Sequence, residues 1–249
     1  DPGFEHKETI ETGLKAAAEG GFTHVATMPN TQPCVHSKSE VEYLRNKGAS
    51  FACSLHPLGA ISKNCEGKEI TEIYDMHDAG AVAFTDGINS TLSAGLTLRA
   101  LLYVKRFDGL LITHPMDASL SAGGVMNEGK TSTLLGLKGI PAIAEEVVVK
   151  RDLQLLEYTN SRLHFAYIST AGSLELIKTA QKKGLKVTCS VAPYSLMHND
   201  EVLESYDSNW KVIPPLRTEK DRKALIKGLK DGTIDSIASF HIPQDIDSK

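Results

Sequence analysis

The sequence has no apolar run long enough to cross a bilayer, a task that takes about 20 consecutive apolar residues in a helix. Its first residues, Asp1-Pro2-Gly3-Phe4-Glu5, carry neither the basic nor the apolar part of a secretory signal, so the expectation is a soluble, cytoplasmic protein with no membrane partner. A stripe of positive charge is also missing. Lys and Arg total 27 against 31 Asp and Glu, for a formal net charge of −4. Phosphate backbones call for concentrated cation, so no nucleic-acid partner is expected. The run Lys182-Lys183 with Lys186 reads as a solvated helix end. The cysteines Cys34, Cys53, Cys65 and Cys189 show no paired spacing, which suits reduced thiols better than a disulfide frame or a zinc ribbon. No Ser-His-Asp order, phosphate-cradling loop or Cys-His nucleophile stands out, and Gly123-Gly124 lacks the strand-to-helix context of a dinucleotide site. Linkers, repeats and low-complexity stretches are absent as well.

What is present is alternation. The 249 residues, 41% of them hydrophobic, suffice for one large α/β core or for two smaller domains. Apolar runs at residues 22–28, 50–55, 81–85, 110–113, 163–168, 186–191 and 234–239 read as strands. Between them the helical period marks residues 8–19, 39–46, 69–79, 94–107, 142–158, 174–183 and 219–230. Gly20, Gly48, Gly80 and Gly184 sit where left-handed C-caps are expected. Such alternation predicts parallel strands joined by right-handed crossovers. Seven strands are one short of a closed (β/α)8 TIM-type barrel; the simplest account puts the first strand upstream of Asp1 and makes residues 1–249 a single, partial barrel domain. A doubly wound open sheet is the structural rival.

Several separated segments resemble dihydroorotase, of the metal-dependent amidohydrolase kind. They are Asp1-Pro2-Gly3-Phe4 with Lys7-Glu8-Thr9, Met28-Pro29-Asn30-Thr31-Gln32-Pro33, Gly139-Ile140-Pro141 with Ala144-Glu145-Glu146, Ile168-Ser169-Thr170-Ala171, Pro214-Pro215-Leu216-Arg217-Thr218, and Asp231-Gly232-Thr233-Ile234-Asp235. Their order and spacing together are specific. The resemblance implies an amidohydrolase barrel, a zinc pair that activates water against the dihydroorotate ring, and an aspartate on the last strand that carries the proton. It also implies a substrate contact at Asn30.

The same resemblance exposes departures. The first-strand His-x-His would precede Asp1. A Thr-Asp-Asp-Gly turn is shortened to Thr85-Asp86-Gly87, which puts Gly87 at the ligand position when read without a gap. His114 matches the fifth-strand imidazole, although Met116 stands where a glutamate is usual. The sixth-strand histidine is Tyr167, Pro-His-His-Leu is Pro193-Tyr194-Ser195-Leu196, the asparagine before Pro-Pro-Leu-Arg is Ile213, and the catalytic aspartate is Phe240, with Gln244 replacing a later histidine. A phenol with a pKa near 10 is a poor zinc ligand at neutral pH, and a phenyl ring carries no proton. The expectation is therefore a catalytically inactive member with no catalytic residue and no metal cofactor, His114 and Asp86 being residual candidates for at most a weak mononuclear site. Tyr167, Tyr194, Ile213 and Phe240 are expected to fill the old site. Three functions remain open: a scaffold for aspartate transcarbamoylase, the preceding pyrimidine-pathway enzyme, in a homo-oligomer or hetero-complex; an unusual zinc hydrolase; or a binder of dihydroorotate or carbamoyl aspartate through Asn30. His56, before Pro57, reads as a hydrogen-bonded structural residue.

Overall fold

A computed structural model of the protein describes residues 2–88 and 93–244. Contacts divide the chain into two compact units, residues 1–113 and 114–249.

In the first unit helix α1 (Ile10–Glu19) begins at Thr9, whose hydroxyl accepts from Thr12 N at 3.1 Å while Thr9 N donates to Thr12 Oγ1 at 3.0 Å. This reciprocal cap satisfies two donors that a helix start otherwise leaves open. Strand β1 (His24–Thr27) follows, then α2 (Lys38–Gly48) and β2 (Ser54–Pro57), which pairs parallel to β1 with Val25 opposite Leu55. Helix α2 buries Val41 and Leu44, and a Cβ at Gly48 would come within 2.6 Å of Leu55 Cβ, so the helix lies hard against β2. Helix α3 (Ile73–Ala79) stops at Gly80, whose φ of +107° a side chain would oppose. Helix α4 (Ala94–Lys105), capped by Ser93, leads to β3 (Leu111–Thr113). Phe84 bridges to Gly59 on one side and to Leu111 on the other, both in parallel sense. Leu44, Ile61, Ile73, Met76, Phe84, Leu96 and Leu101 are fully buried, each worth roughly 1.5 to 3 kcal/mol of transfer free energy.

The second unit runs through α5 (Ala118–Ser121), β4 (Met126–Asn127), α6 (Lys130–Leu135), β5 (Gly139–Ile140), α7 (Ile143–Thr159), β6 (Leu163–Phe165), α8 (Ala171–Lys182), β7 (Val187–Val191), α9 (Pro193–Met197), α10 (Glu219–Lys230) and β8 (Ser236–Ile237). Strands β6, β7 and β8 are parallel neighbours, with Phe165 opposite Cys189 and Val191 opposite Ile237; β4 and β5 form a separate parallel pair. Helix α8 packs against α7 and α10. Among the described residues no helix is long and apolar enough to cross a membrane.

The structure amends the expected strands. The segment 81–85 contributes only the bridges at Phe84. Residues 50–53 are a bend, because Phe51 N turns back to Gly48 O at 3.3 Å as the chain leaves α2, and the strand starts at Ser54. Helix α8 starts at Ala171, three residues before the expected Leu174, because Thr170 Oγ1 accepts from Ser173 N at 3.1 Å and sets the cap.

Candidate functional site

Parallel strands leave a sheet at a common edge, so residues just beyond the carboxyl ends of β6, β7 and β8 are brought together. Tyr167, Tyr194 and Phe240 occupy those places, and His114 directly follows Thr113. Tyr167 and Phe240 are in contact, with ring centroids 4.0 Å apart; Phe240 lies 6.3 Å from Tyr194 and 6.4 Å from His114, nearly parallel to the imidazole, and His114 lies 6.2 Å from Tyr167. Tyr167 has φ +59° and Phe240 φ +49°. Bulky residues rarely enter this left-handed region, and each instance costs on the order of 1 to 3 kcal/mol. The turn at Tyr167 is held by Tyr167 N donating to Ser190 Oγ and by Ile168 N donating to Ser190 O at 3.0 Å.

No charge resides in this cluster at neutral pH. His114 is 5% exposed, and among the described residues neither ring nitrogen finds a hydrogen-bond partner. Burial pushes its pKa down to about 4. Burial also pushes Tyr167 up to about 12 and raises Tyr194 further, helped by the nearby Tyr167 phenol. A base with so low a pKa and acids with such high ones transfer protons poorly near neutrality. Ile213, expected in this group, is instead 49% exposed.

In the first unit the two remaining candidates meet each other. Asp86 is 2% exposed. One of its oxygens accepts from Ile61 N at 2.8 Å and Ser62 N at 2.9 Å, and the other accepts from the Ser62 hydroxyl. Burial raises its pKa while these bonds oppose the rise. Its carboxylate thus anchors the turn at 61–62. Asn30 donates to the main-chain oxygen of Asp86 at 3.0 Å. Gly87 has φ +64°, and a Cβ there would fall 1.5 Å from Asn30 Oδ1. The amide of Asn30 fills the space where the resemblance calls for a second carboxylate. His56, read as structural, shares a hydrogen bond of 2.9 Å with His24.

A further polar constellation was legible in the sequence only as matched motifs. Glu145, wholly buried, accepts from Ser169 N at 3.0 Å, Thr170 N at 3.1 Å, Thr170 Oγ1 at 3.2 Å and the Ser169 hydroxyl. Arg217 donates Nε–H to Ser169 Oγ at 3.0 Å, and its Nη1 donates to Asn127 Oδ1 at 3.1 Å and Ile140 O at 2.7 Å. Asn127 in turn donates to Asp200 at 2.9 Å. This knot ties the start of α7 to the loop before α8 and to the Pro-Pro-Leu-Arg segment. Among the described residues no group of three or more His, Cys, Asp or Glu side chains is placed to share a metal ion.

Residues 1–173 match the model of the Dihydro-orotase-like family. Over 249 residues the chain is 49% identical to a protein named dihydroorotase from Pelotomaculum thermopropionicum, and over 250 residues 49% identical to another so named from Acetivibrio thermocellus. Both matches take in the whole of this chain, which spans 58% and 59% of those relatives. Among solved structures it resembles an L-hydantoinase (dihydropyrimidinase) from Arthrobacter aurescens with a TM-score of 0.82 and 24% identity, covering 97% of this chain and 55% of that one. That likeness gives the fold as a (β/α) barrel.

Proposed function

The chain belongs to the dihydroorotase-like family, and we propose that it serves pyrimidine biosynthesis there as a non-catalytic member, a scaffold that associates with aspartate transcarbamoylase. The observation that carries the reading is the ring cluster of His114, Tyr167, Tyr194 and Phe240. Zinc sites draw three or four donors from imidazole, thiolate and carboxylate. Beside His114 stand the protonated Tyr167 phenol and the Phe240 ring, Asp86 is engaged by the 61–62 turn, and Asn30 blocks a side chain at Gly87. These donors do not fit the family's metal pair, and the phenyl ring of Phe240 carries no proton.

One observation favours a second reading, a hydrolase with an unusual metal site. Both nitrogens of His114 are buried without a partner among the described residues, as a ligand awaiting an ion would be. Metal analysis after dialysis separates the two. The scaffold reading expects well under one zinc per chain and no turnover of carbamoyl aspartate or dihydroorotate. Tightly held zinc with turnover abolished by His114→Ala would overturn it. Partnership has its own test: aspartate transcarbamoylase should co-purify from the native cell, and unimpaired assembly and activity of that enzyme in a deletion strain would remove the scaffold role while leaving the lost chemistry standing.

A further inference from the structure

Two of the four cysteines, separated by 31 positions, meet inside the first unit with their sulfurs 3.1 Å apart. Cys34 is 8% and Cys65 4% exposed, and both pack on Ala60. Cys34 lies in the loop that carries Asn30, which is folded back by Val35 N donating to Pro29 O at 3.0 Å and joined to residue 60 by Ala60 N donating to Val35 O at 2.7 Å. Cys65 ends the short turn Lys63–Cys65, and both Asn64 and Cys65 are left-handed, with φ of +53° and +55°. This is the turn whose start, at Ile61 and Ser62, holds the Asp86 carboxylate. The remaining cysteines are placed differently: Cys189 donates to Thr233 O at 3.4 Å, and Cys53 is buried apart from the pair.

We propose that Cys34 and Cys65 are a peroxide-responsive thiol pair that closes into a reversible intramolecular disulfide. The sulfurs need only close from 3.1 Å to about 2.05 Å, between a loop and a turn that Ala60 N and Val35 O already join. The hydrogen bond to Cys34, then burial, then the neighbouring Cys34 and Asp86 charges raise the Cys65 pKa far above that of a free thiol. We assign the attack to Cys34 and the resolving step to Cys65, the thiolate being the nucleophile. Cys34 thiolate takes one oxygen of hydrogen peroxide as the O–O bond breaks, giving the sulfenic acid, and the departing hydroxide leaves as water after gaining a proton. Cys65 then loses its proton and attacks the Cys34 sulfur, displacing the second oxygen as water. Two thiols and one peroxide become one disulfide and two waters; a small dithiol reverses the change by exchange. The bond would fix the Asn30 loop to the turn that seats Asp86.

The test treats the purified protein with dilute hydrogen peroxide, quenches, denatures and counts thiols. Two of four should be lost, with a mass decrease of two hydrogens, and the linked peptides should be those containing Cys34 and Cys65. Dithiothreitol should restore all thiols, and the oxidised protein should unfold at a higher urea concentration than the reduced. Cys34→Ser and Cys65→Ser should each abolish the link; because peptide mapping uses the unaltered protein, a failure of either variant to fold does not spare the proposal. It is overturned if all thiols survive peroxide that oxidises a control dithiol peptide, if the link involves Cys53, Cys189 or a second chain, or if Cys34 proceeds to sulfinic acid with Cys65 untouched.

Discussion

Glu145 and His114 are both buried in the second unit, yet one accepts hydrogen bonds from two main-chain N–H groups and two hydroxyls while the other, among the described residues, has no partner for either nitrogen. The environments differ in the same sense. Around Glu145 the groups are short, polar and oriented, and Arg217 supplies the opposing charge. Around His114 they are rings. A buried ion is tolerable only when its lone pairs and its charge are answered; a buried imidazole without partners gives up its charge instead, as the depressed pKa of His114 records. The contrast separates polarity that holds the second unit together from an imidazole packed among aromatic rings.

The sharpest way to break the comparison is to remove its better-satisfied member. Glu145→Ala leaves Ser169 N and Thr170 N without acceptors and Arg217 without the opposing charge that acts on it most strongly. The expected loss is about 3 to 5 kcal/mol, read as a fall in the urea midpoint at unchanged slope. A loss below about 1 kcal/mol would mean that the knot is not a source of stability.

Phe240→Asp strikes the aromatic side. Phe240 is only half-buried, and its φ of +49° suits Asp better than a bulky ring. Both facts reduce the penalty, so about 2 kcal/mol is expected from lost ring contacts and a poorly partnered carboxylate. No zinc-dependent turnover is expected of this variant, because one carboxylate added beside His114 falls short of the three or four donors a zinc site takes; zinc-dependent hydrolysis by it would show that the cluster hides an otherwise complete site.

His114 gives a pH signature of similar size. Its folded pKa of about 4 lies below the unfolded value, near 6.5. As pH falls through 6.5 the unfolded chain takes up the proton first, so stability declines from there and levels off only below 4. Between pH 7.5 and 5 the loss should be about 2 kcal/mol. His164, also lowered by burial, acts in the same direction, so the assignment rests on the difference from His114→Leu, whose profile should be flatter by that amount. Identical slopes would place His114 in contact with water.

Much of this contrast was out of reach of the sequence. The alternation of strand and helix was legible because period and capping are local: Thr9, Ser93 and Thr218 start helices where the pattern changes. The ring cluster was legible through matched motifs, which placed Tyr167, Tyr194 and Phe240 after successive strands. Ile213 misled, since a motif fixes position along the chain and not the direction of a side chain. Asp86, before Gly87, read more readily as a turn residue than as a ligand, and only the Ile61 and Ser62 donors decide where its oxygens go. Strands β4 and β5, two residues each, are too short to show a period. Glu145 and Arg217, or Cys34 and Cys65, are brought together by the fold from far apart in the chain, and no spacing rule announces such pairs.

The finest test removes one hydroxyl from each side. Ser169 Oγ donates to Glu145 and accepts from Arg217 Nε at 3.0 Å. Ser169→Ala therefore opens two charge-assisted bonds and should cost about 2 kcal/mol. The Tyr194 hydroxyl is buried with no partner among the described residues. Tyr194→Phe keeps the ring against Phe240 and deletes only an unmatched dipole, so stability should stay level or rise by up to about 1 kcal/mol. The signs, more than the sizes, carry the argument: equal losses for the two variants would mean that Tyr194 has a partner after all, and that the aromatic region is as polar and as well answered as the knot.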